Sequence, residues 1–301
     1  MSPTLLGELA ALMASVCFTF GPTLFTLAGR EIGSVKANRM RLLLGALYFG
    51  ILHMLLYGRL FPRASWAPIV YMLLSGVIGL ALSDTMLFEA FVRVGPRIAL
   101  LILNLTPALA AATAWVVLDE RLTLSQTAAI AVVLAGVSWV VLERETPDED
   151  GQTSALHDRA GLLFAFAAAL VSTASVILAK LGLRAGLSPI SGATLRMFGG
   201  MLTLWTWTLL TKAAAPTLRT MRCHPKALGI IAAAVLIGPV LGMSLSMFAL
   251  KAIPVGIATT LASLPPILLL PVGRWFFKEH ITPRAVLGTV IATAGVIWLL
   301  V

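Results

Sequence analysis

One acidic residue, Asp84, ends a long stretch of the sequence that carries no charge. An ionisable side chain inside an apolar segment is expensive to keep there, so it is a functional hypothesis by default. A carboxyl group at that depth can carry a proton or hold a cationic group of a ligand. It can equally form a plain ion pair with Arg39 or Arg41, which enter from the same membrane face. Both interpretations stay open on the sequence alone.

Two prolines, Pro107 and Pro266, lie near the centres of long apolar segments, 159 positions apart. A proline inside a helix removes one backbone hydrogen bond and frees a carbonyl one turn back. In lipid, that carbonyl needs a partner or a water-filled cavity. Asn104 shares a helical face with Pro107, and Thr259 and Ser263 share one with Pro266. The pattern predicts two kinked helices that present small polar groups at mid-membrane; alternatively, the hydroxyls only satisfy their own backbone.

These residues together form the predicted substrate site. Its members are Asp84, Asn104, Pro107, Thr259, Ser263 and Pro266. We expect Asp84 and Asn104 at about equal depth, where they could share a hydrogen bond or flank one ligand. Arg196 is interpreted as an anchor at the membrane interface, with attraction of an anionic group as the alternative.

Motifs of enzymatic chemistry do not occur in this sequence. The four histidines are far apart, and there is no His-Glu-x-x-His, phosphate-binding glycine loop or Gly-x-Ser-x-Gly. We therefore expect no enzyme, no metal and no cofactor. Glu120 and Glu279 each come shortly before a threonine suited to cap the next helix. An acid near a helix start interacts favourably with the free amides, so both are interpreted as structural.

The composition shows which solvent surrounds these residues. The chain is 59% hydrophobic and 12% charged, with a mean hydropathy of +0.96, whereas a soluble domain carries about 25% charged residues. Apolar runs of about 20 residues recur, the length that crosses a bilayer as a helix. The net charge of +9 suits anionic lipid, and no basic run favours nucleic acid. We expect an integral, multi-pass protein of a bacterial inner (plasma) membrane.

Charged residues divide the sequence into ten predicted membrane spans, numbered 1 to 10 in chain order. The predicted bounds are Leu6–Ala28, Val35–Tyr57, Ala67–Leu87, Arg97–Leu118, Leu124–Leu142, Ala160–Leu181, Ile190–Thr211, Leu228–Leu250, Val255–Phe277 and Pro283–Val301. The fold class is all-α, because the runs lack the period-two alternation of a barrel. Small residues spaced as in Gly76-x-x-Gly79 and Gly288-x-x-x-Ala292 predict close contacts between helices.

The stretch Ser83–Leu142 recurs 159 positions later without a gap, which marks an internal repeat. A polar, acidic linker separates two halves of five spans each. The predicted domain bounds are 1–143 for the first repeat, 144–159 for the linker and 160–301 for the second repeat. An odd number of spans makes the halves enter from opposite faces, so the repeat is inverted. Transporters have this architecture, with binding sites near the bilayer midplane.

The duplicated block also carries a family resemblance. The residues concerned are Ser83-Asp-Thr-Met-Leu-Phe-Glu-Ala, Gly95-Pro-Arg-Ile-Ala, Leu105-Thr-Pro-Ala, Glu120-Arg-Leu-Thr and Gly136-Val in the first copy, and Leu264-Pro-Pro, Glu279-His-Ile-Thr and Gly295-Val in the second. Over nearly its whole length, the chain resembles the EamA family of the drug/metabolite transporter superfamily, in its ten-helix, two-repeat form. The resemblance implies a central cavity, alternating access and ATP-independent export of small metabolites. It also implies cytoplasmic termini, whereas the distribution of Lys and Arg over the loops puts both termini outside.

The sequence therefore favours a secondary transporter that exports small amphipathic or zwitterionic metabolites, such as amino acids or drugs, through a midplane cavity. The expected partners are a small-molecule substrate and the lipid bilayer, with no nucleic acid. Proton coupling stays open, as does the choice between a monomer and a homodimer. Two other classes remain: a membrane-embedded enzyme, which would need more acids, bases or a metal, and a non-transporting assembly subunit.

Overall fold

The structure, a computed structural model, describes residues 2–143, 158–276 and 282–300, and its elements are helices. Spans 1 to 10, as observed, are Pro3–Ile32, Ser34–Tyr57, Trp66–Gly95, Ile98–Leu118, Leu124–Glu143, Arg159–Arg184, Pro189–Leu210, Pro225–Ala252, the pair Val255–Ala262 and Pro265–Phe276, and Pro283–Leu300. Among the described residues, eight helices are long and apolar enough to cross a membrane. The chain is thus an all-helical polytopic membrane protein. Most of the predicted linker, and Glu279, lie outside the described residues.

The largest differences from the predicted spans lie at the end of span 3 and between spans 7 and 8. Span 3 continues to Gly95, eight residues beyond the predicted end, because Glu89 and Arg93 pair at 2.7 Å along one face of the helix. A pair spaced by four residues supports helix rather than ending it. A short helix, Ala214–Cys223, connects spans 7 and 8. It was not predicted, because its basic residues resemble those of a loop.

Polar contacts between span ends indicate how the spans are directed. We call the side where span 1 begins the N-terminal face. There the end of span 2 contacts the start of span 7, through His53 and Ser191 at 3.0 Å. The ends of spans 8 and 10 contact the starts of spans 7 and 5, as in the bond from Trp298 to Ser125 at 2.9 Å.

At the opposite face, the end of span 3 contacts the start of span 6 through Arg93 and Asp158 at 3.8 Å. The start of span 2 contacts the short connecting helix there, where Lys36 donates to Thr220 at 3.0 Å. Ten spans that alternate in direction satisfy all these contacts. Equivalent spans of the two halves therefore run antiparallel, as an inverted repeat requires.

Most spans pack chiefly against the other half. Span 1 packs on spans 8 and 9, and its counterpart, span 6, packs on spans 3 and 4. Spans 2 and 8 contact each other, as do their counterparts 7 and 3. Three pairs of equivalent spans also contact each other: 2 and 7, 4 and 9, and 5 and 10. The halves are thus interlocked around one core rather than placed side by side.

Glycines set the closest contacts, as their spacing predicts. A Cβ atom at Gly76 would collide with the backbone oxygen of Arg196, so spans 3 and 7 touch backbone to backbone. A Cβ atom at Gly136 would lie 2.7 Å from that of Ala292 and 2.7 Å from the oxygen of Gly288, in the pair of spans 5 and 10. Lipid tails are as apolar as the helix side chains, so burial of apolar surface does little to hold helices together in a membrane. Close packing of this kind holds the spans together instead.

The predicted kinks are confirmed. Span 4 is interrupted between Leu103 and Thr106, and span 9 between Ala262 and Pro265. Each restarted helix carries proline in its first turn. Proline is tolerated there because the amide it lacks would have no partner within the helix. The two breaks fall at equivalent positions of the repeat.

Candidate functional site

Spans 3 and 8 each contain a π-helical stretch, Val77–Ser83 and Leu236–Met243. The two stretches begin 159 positions apart, so they are equivalent in the repeat. π-Helical turns are rare in proteins, but those that do occur often lie at functional sites. Sequence reasoning missed them, and the available signal was slight: a glycine, Gly79 or Gly238, at the same position of each copy. The first stretch ends immediately before Asp84.

Asp84 forms an ion pair with Arg41 of span 2, with Oδ2 and Nη2 2.5 Å apart. This is one of the two ion pairs that the sequence allowed; Arg39 instead donates to Thr217 of the connecting helix at 3.0 Å. The side chains of Arg41 and Asp84 are 25% and 27% exposed. A charge inside a membrane bundle is costly unless it is paired, and this ion pair compensates both side chains.

Arg196 approaches the same region from span 7, and it is not the interfacial anchor that we expected. Its Nη1 donates to Ser75 of span 3 at 3.0 Å, and its Nη2 lies against Gly79. It also interacts electrostatically with Asp84. Arg41 and Arg196 occupy equivalent places in the two halves, at a shift of 155 positions. Asp84 thus forms an ion pair with one of two arginines that the repeat relates, and among the described contacts it acts on the other only through its charge.

Two serines fix span 3 in front of these arginines. Ser75 Oγ donates to the carbonyl of Ser175 in span 6, and Ser175 Oγ donates to the carbonyl of Ser75, both at 2.7 Å. The reciprocal pair is buried, where an unpaired hydroxyl would be penalised. Ser75 therefore accepts from Arg196 with an oxygen whose position is already fixed.

Asn104 lies at the break of span 4, and its amide faces span 5. Nδ2 donates to Ser138 Oγ at 2.9 Å and to the carbonyl of Leu134 at 3.3 Å. These bonds engage the amide with span 5 rather than with Asp84. The structure therefore does not bring Asn104 and Asp84 into one hydrogen bond, and a common ligand remains a prediction.

The hydroxyls of span 9 are bonded to their own helix. Thr259 donates to the carbonyl of Val255 at 2.7 Å, and Ser263 to that of Thr260 at 2.8 Å. This geometry is the structural alternative that the sequence left open. Pro107 is buried and Pro266 half-buried at the two breaks, so their role in a binding site stays a prediction.

Spans 4 and 9 contact each other towards the N-terminal face. A Cβ atom at Gly256 would lie 2.7 Å from that of Ala111, and Thr106–Leu118 packs on Val255–Ala262. The counterpart segments in the repeat are the end of Asp84–Leu103 and the start of Pro265–Phe276. Among the residues that the structure describes, these counterparts make no comparable contact. Within the described part of the chain, spans 4 and 9 thus pack together more closely towards the N-terminal face than towards the opposite face.

At the N-terminal end of this contact lies what we call the Glu120 cluster: Glu120, Lys180 and Arg184. Glu120 Oε1 lies 3.2 Å from Lys180 Nζ and 2.7 Å from Arg184 Nη2. The side chains of Glu120 and Lys180 are only 9% and 5% exposed. Lys180 also donates to the carbonyls of Leu250 and Ile253. The cluster therefore joins the end of span 4 to spans 6 and 8.

Glu120 also caps span 9, because Oε2 accepts from the backbone N–H of Val255 at 2.7 Å. That helix has no side-chain cap of its own, and a carboxylate at a helix start is stabilising. The interpretation of Glu120 as a capping acid is therefore confirmed, but the helix is span 9 rather than the next one. Span 5 is capped by Thr123 and Gln126, which bond each other's backbone amides at 3.1 and 3.0 Å.

Two cavities of about 510 Å³ each open at opposite faces of the bundle. One lies between the start of span 1 and the end of span 10, and the other follows the connecting helix. Neither is the predicted midplane cavity, which stays a prediction. Within residues 2–143, 158–276 and 282–300, no group of three or more His, Cys, Asp or Glu side chains could hold a metal ion.

Fold and site together define a polytopic membrane protein of two interlocked, equivalent halves, with charged side chains in contact inside the bundle. The sequence matches the EamA-like transporter family over residues 5–142 and again over residues 159–301, so the chain belongs to that family. The predicted resemblance is thus confirmed. A solved structure titled only "Crystal structure of protein" has a TM-score of 0.69 and 18% identity, covering 99% of this chain and 96% of that chain. At that identity it supports the fold alone. A comparison with curated proteins gives no match.

Proposed function

We propose that this chain is a secondary transporter that exports small amphipathic or zwitterionic metabolites, such as amino acids or drugs, by alternating access and without ATP. Membership of a transporter family supports the movement of a small solute across the membrane. The observation that carries the finer proposal is the unequal contact between spans 4 and 9. They are packed together at the N-terminal face, while their counterpart segments are not in comparable contact within the described residues.

An inverted repeat gives that inequality a mechanism. Two equivalent halves can exchange their local conformations, so the segments now in contact separate while their counterparts close. Such a molecule has two states of similar free energy, each open to one face of the membrane. A solute bound between the two halves can then be released at either face. The contact of Ala111 with Gly256, and the capping of Val255 by Glu120, then belong to one of the two states.

The charged residues on spans 2, 3 and 7 suit a zwitterion better than a polyanion. Asp84 offers a carboxylate to an ammonium group, while Arg41 and Arg196 offer donors to an acidic group. The core of the bundle consists chiefly of aliphatic side chains, a surrounding that suits the apolar part of such a solute. Asn104, Pro107, Thr259, Ser263 and Pro266 remain proposed contacts at the two helix breaks, and proton coupling through Asp84 remains a proposal to be tested.

Proteoliposomes provide the test. The purified chain, reconstituted without ATP, should release preloaded amino acids or their toxic analogues down a gradient faster than empty vesicles. The Asp84→Asn variant should be impaired, whereas Asp119→Asn, which changes a surface acid 83% exposed, should not. Movement that requires ATP and an added ATPase subunit would reject the proposal. So would ligand-dependent stabilisation of the protein without any flux.

A further inference from the structure

Three arginines of this membrane bundle have a buried Nε atom without a hydrogen-bond partner: Arg39, Arg41 and Arg196. Buried donors are rarely left unsatisfied in folded proteins, and each exception needs an explanation. The guanidinium groups are otherwise engaged, with Arg41 on Asp84 and Arg196 on Ser75. The unused donors therefore belong to side chains that are already fixed in position.

The charges around span 3 are also unbalanced. Asp84 pairs with Arg41 and attracts Arg196, so one negative charge serves two positive ones. A cation inside a membrane bundle needs compensation, which protein groups or a bound anion can supply. Among the described residues, the other acids near this end of span 3 are engaged elsewhere, as Glu89 is with Arg93.

We propose that Arg196, together with Arg41, forms an oxyanion subsite that binds the carboxylate of the transported solute. The inference rests on the proposed function and specifies the acidic group that the solute must carry. A guanidinium presents Nε–H and an Nη–H on one edge, a fork that matches the two oxygens of a carboxylate. Ser75 holds Nη1 of Arg196 at 3.0 Å, which orients the remaining donors.

In this subsite, Asp84 would recognise the ammonium group of the same solute. A solute carboxylate at the arginines leaves Asp84 facing its ammonium group, as in an α-amino acid. An amino-acid amide has the same shape and the same ammonium but lacks the charged acceptor. Charged hydrogen bonds contribute more than neutral ones, so the site should separate acids from amides.

Arg39 provides a matched control. It also has a buried, unpartnered Nε, but its Nη1 donates to Thr217 of the connecting helix, and its carbonyl accepts from Trp205. Arg39 thus lies at the membrane face, against the connecting helix. The Arg39→Lys variant should change acid-over-amide selectivity little, whereas Arg196→Lys keeps the charge and removes the fork.

The experiment measures thermal stabilisation of the purified full-length chain by leucine, phenylalanine and methionine, each beside its primary amide. We expect at least one acid to stabilise the protein at concentrations where its amide does not. Arg196→Lys should weaken that binding roughly tenfold to a hundredfold, and Arg39→Lys less than threefold. Arg41→Lys serves as the second variant if Arg196→Lys does not fold, and it should show the same loss.

Equal stabilisation by acid and amide, no loss in the arginine variants, or no stabilisation by any of the six compounds would overturn the subsite. Flux in proteoliposomes separates this failure from failure of the proposed function. If an amide moves as fast as its acid, the transporter stands and the oxyanion subsite is wrong. If no solute moves through the reconstituted chain at all, the proposed function itself fails.

Discussion

The Glu120 cluster allows the two-state account to be tested quantitatively. Glu120→Gln keeps the size of the side chain and removes its charge. Lys180, only 5% exposed, then loses its counter-ion, although it keeps the carbonyls of Leu250 and Ile253. Losing a charged hydrogen bond costs about 1.5–3 kcal/mol. The share of Arg184 is smaller, because that side chain is 44% exposed and solvent screens it.

We take about 3 kcal/mol as the total loss of stability of the closed N-terminal face, which corresponds to a roughly 150-fold shift of the equilibrium between the two states. The assay places a cysteine at Thr259, behind the contact of spans 4 and 9, in a chain whose native Cys17 and Cys223 are replaced. A membrane-impermeant maleimide is added from the N-terminal face. The cysteine should react slowly in the parent and between tenfold and 150-fold faster in Glu120→Gln.

The matched control is Asp119→Asn, the neighbouring acid. Its side chain is 83% exposed and pairs with Arg121 at 3.4 Å. Exposed pairs contribute about 0–1 kcal/mol, so labelling should stay within a few-fold of the parent. Labelling of Glu120→Gln no faster than of Asp119→Asn, in folded protein, would refute the assignment of the cluster as the closure of this face.

Three further predictions concern the spans. Gly76→Ala should destabilise the fold by roughly 2 kcal/mol or more, because its Cβ would collide with span 7. Gly229→Ala should be neutral, because its Cβ would meet nothing within 4 Å. Thermal unfolding in detergent measures both. Pro107→Ala and Pro266→Ala should slow exchange between the two states while expression is retained, and normal turnover of both would remove the helix breaks from the mechanism. Asp84→Asn should reduce transport, because Arg41 loses its counter-ion inside the bundle; transport at the parent rate would leave Asp84 without a role in the mechanism.

Features that the sequence predicted well have a local physical cause. A proline removes a backbone amide wherever it stands, so Pro107 and Pro266 predicted both interruptions. Glycine spacing likewise predicted the close contacts of Gly76 and Gly288. Hydropathy predicted most span ends to within a few residues, since a break in a charge-free run depends little on neighbouring spans. The inverted arrangement followed from counting spans.

Other features depend on which spans become neighbours. Arg196 looked like an interfacial anchor, because nothing in span 7 shows that Ser75 of span 3 will accept from it. Glu120 looked like a cap for the next helix, but it caps Val255, which is 135 residues further along the chain. The π-helical stretches arise where span 3 packs on spans 6 and 7, and span 8 on span 1. The position of Arg196, the helix that Glu120 caps and the π-helical stretches all involve contacts between the two halves. A single sequence does not show which spans will be neighbours.

Substrate counterflow distinguishes a carrier with alternating access from a protein that lets solute diffuse or does not transport it. Proteoliposomes are preloaded with an unlabelled amino acid and diluted into a trace of the labelled compound, without ATP or an ion gradient. A site that opens to each face in turn predicts transient accumulation of the label above its equilibrium level, followed by decay. A monotonic approach to equilibrium at every loading concentration, or entry no faster than into empty vesicles, would contradict a carrier with alternating access.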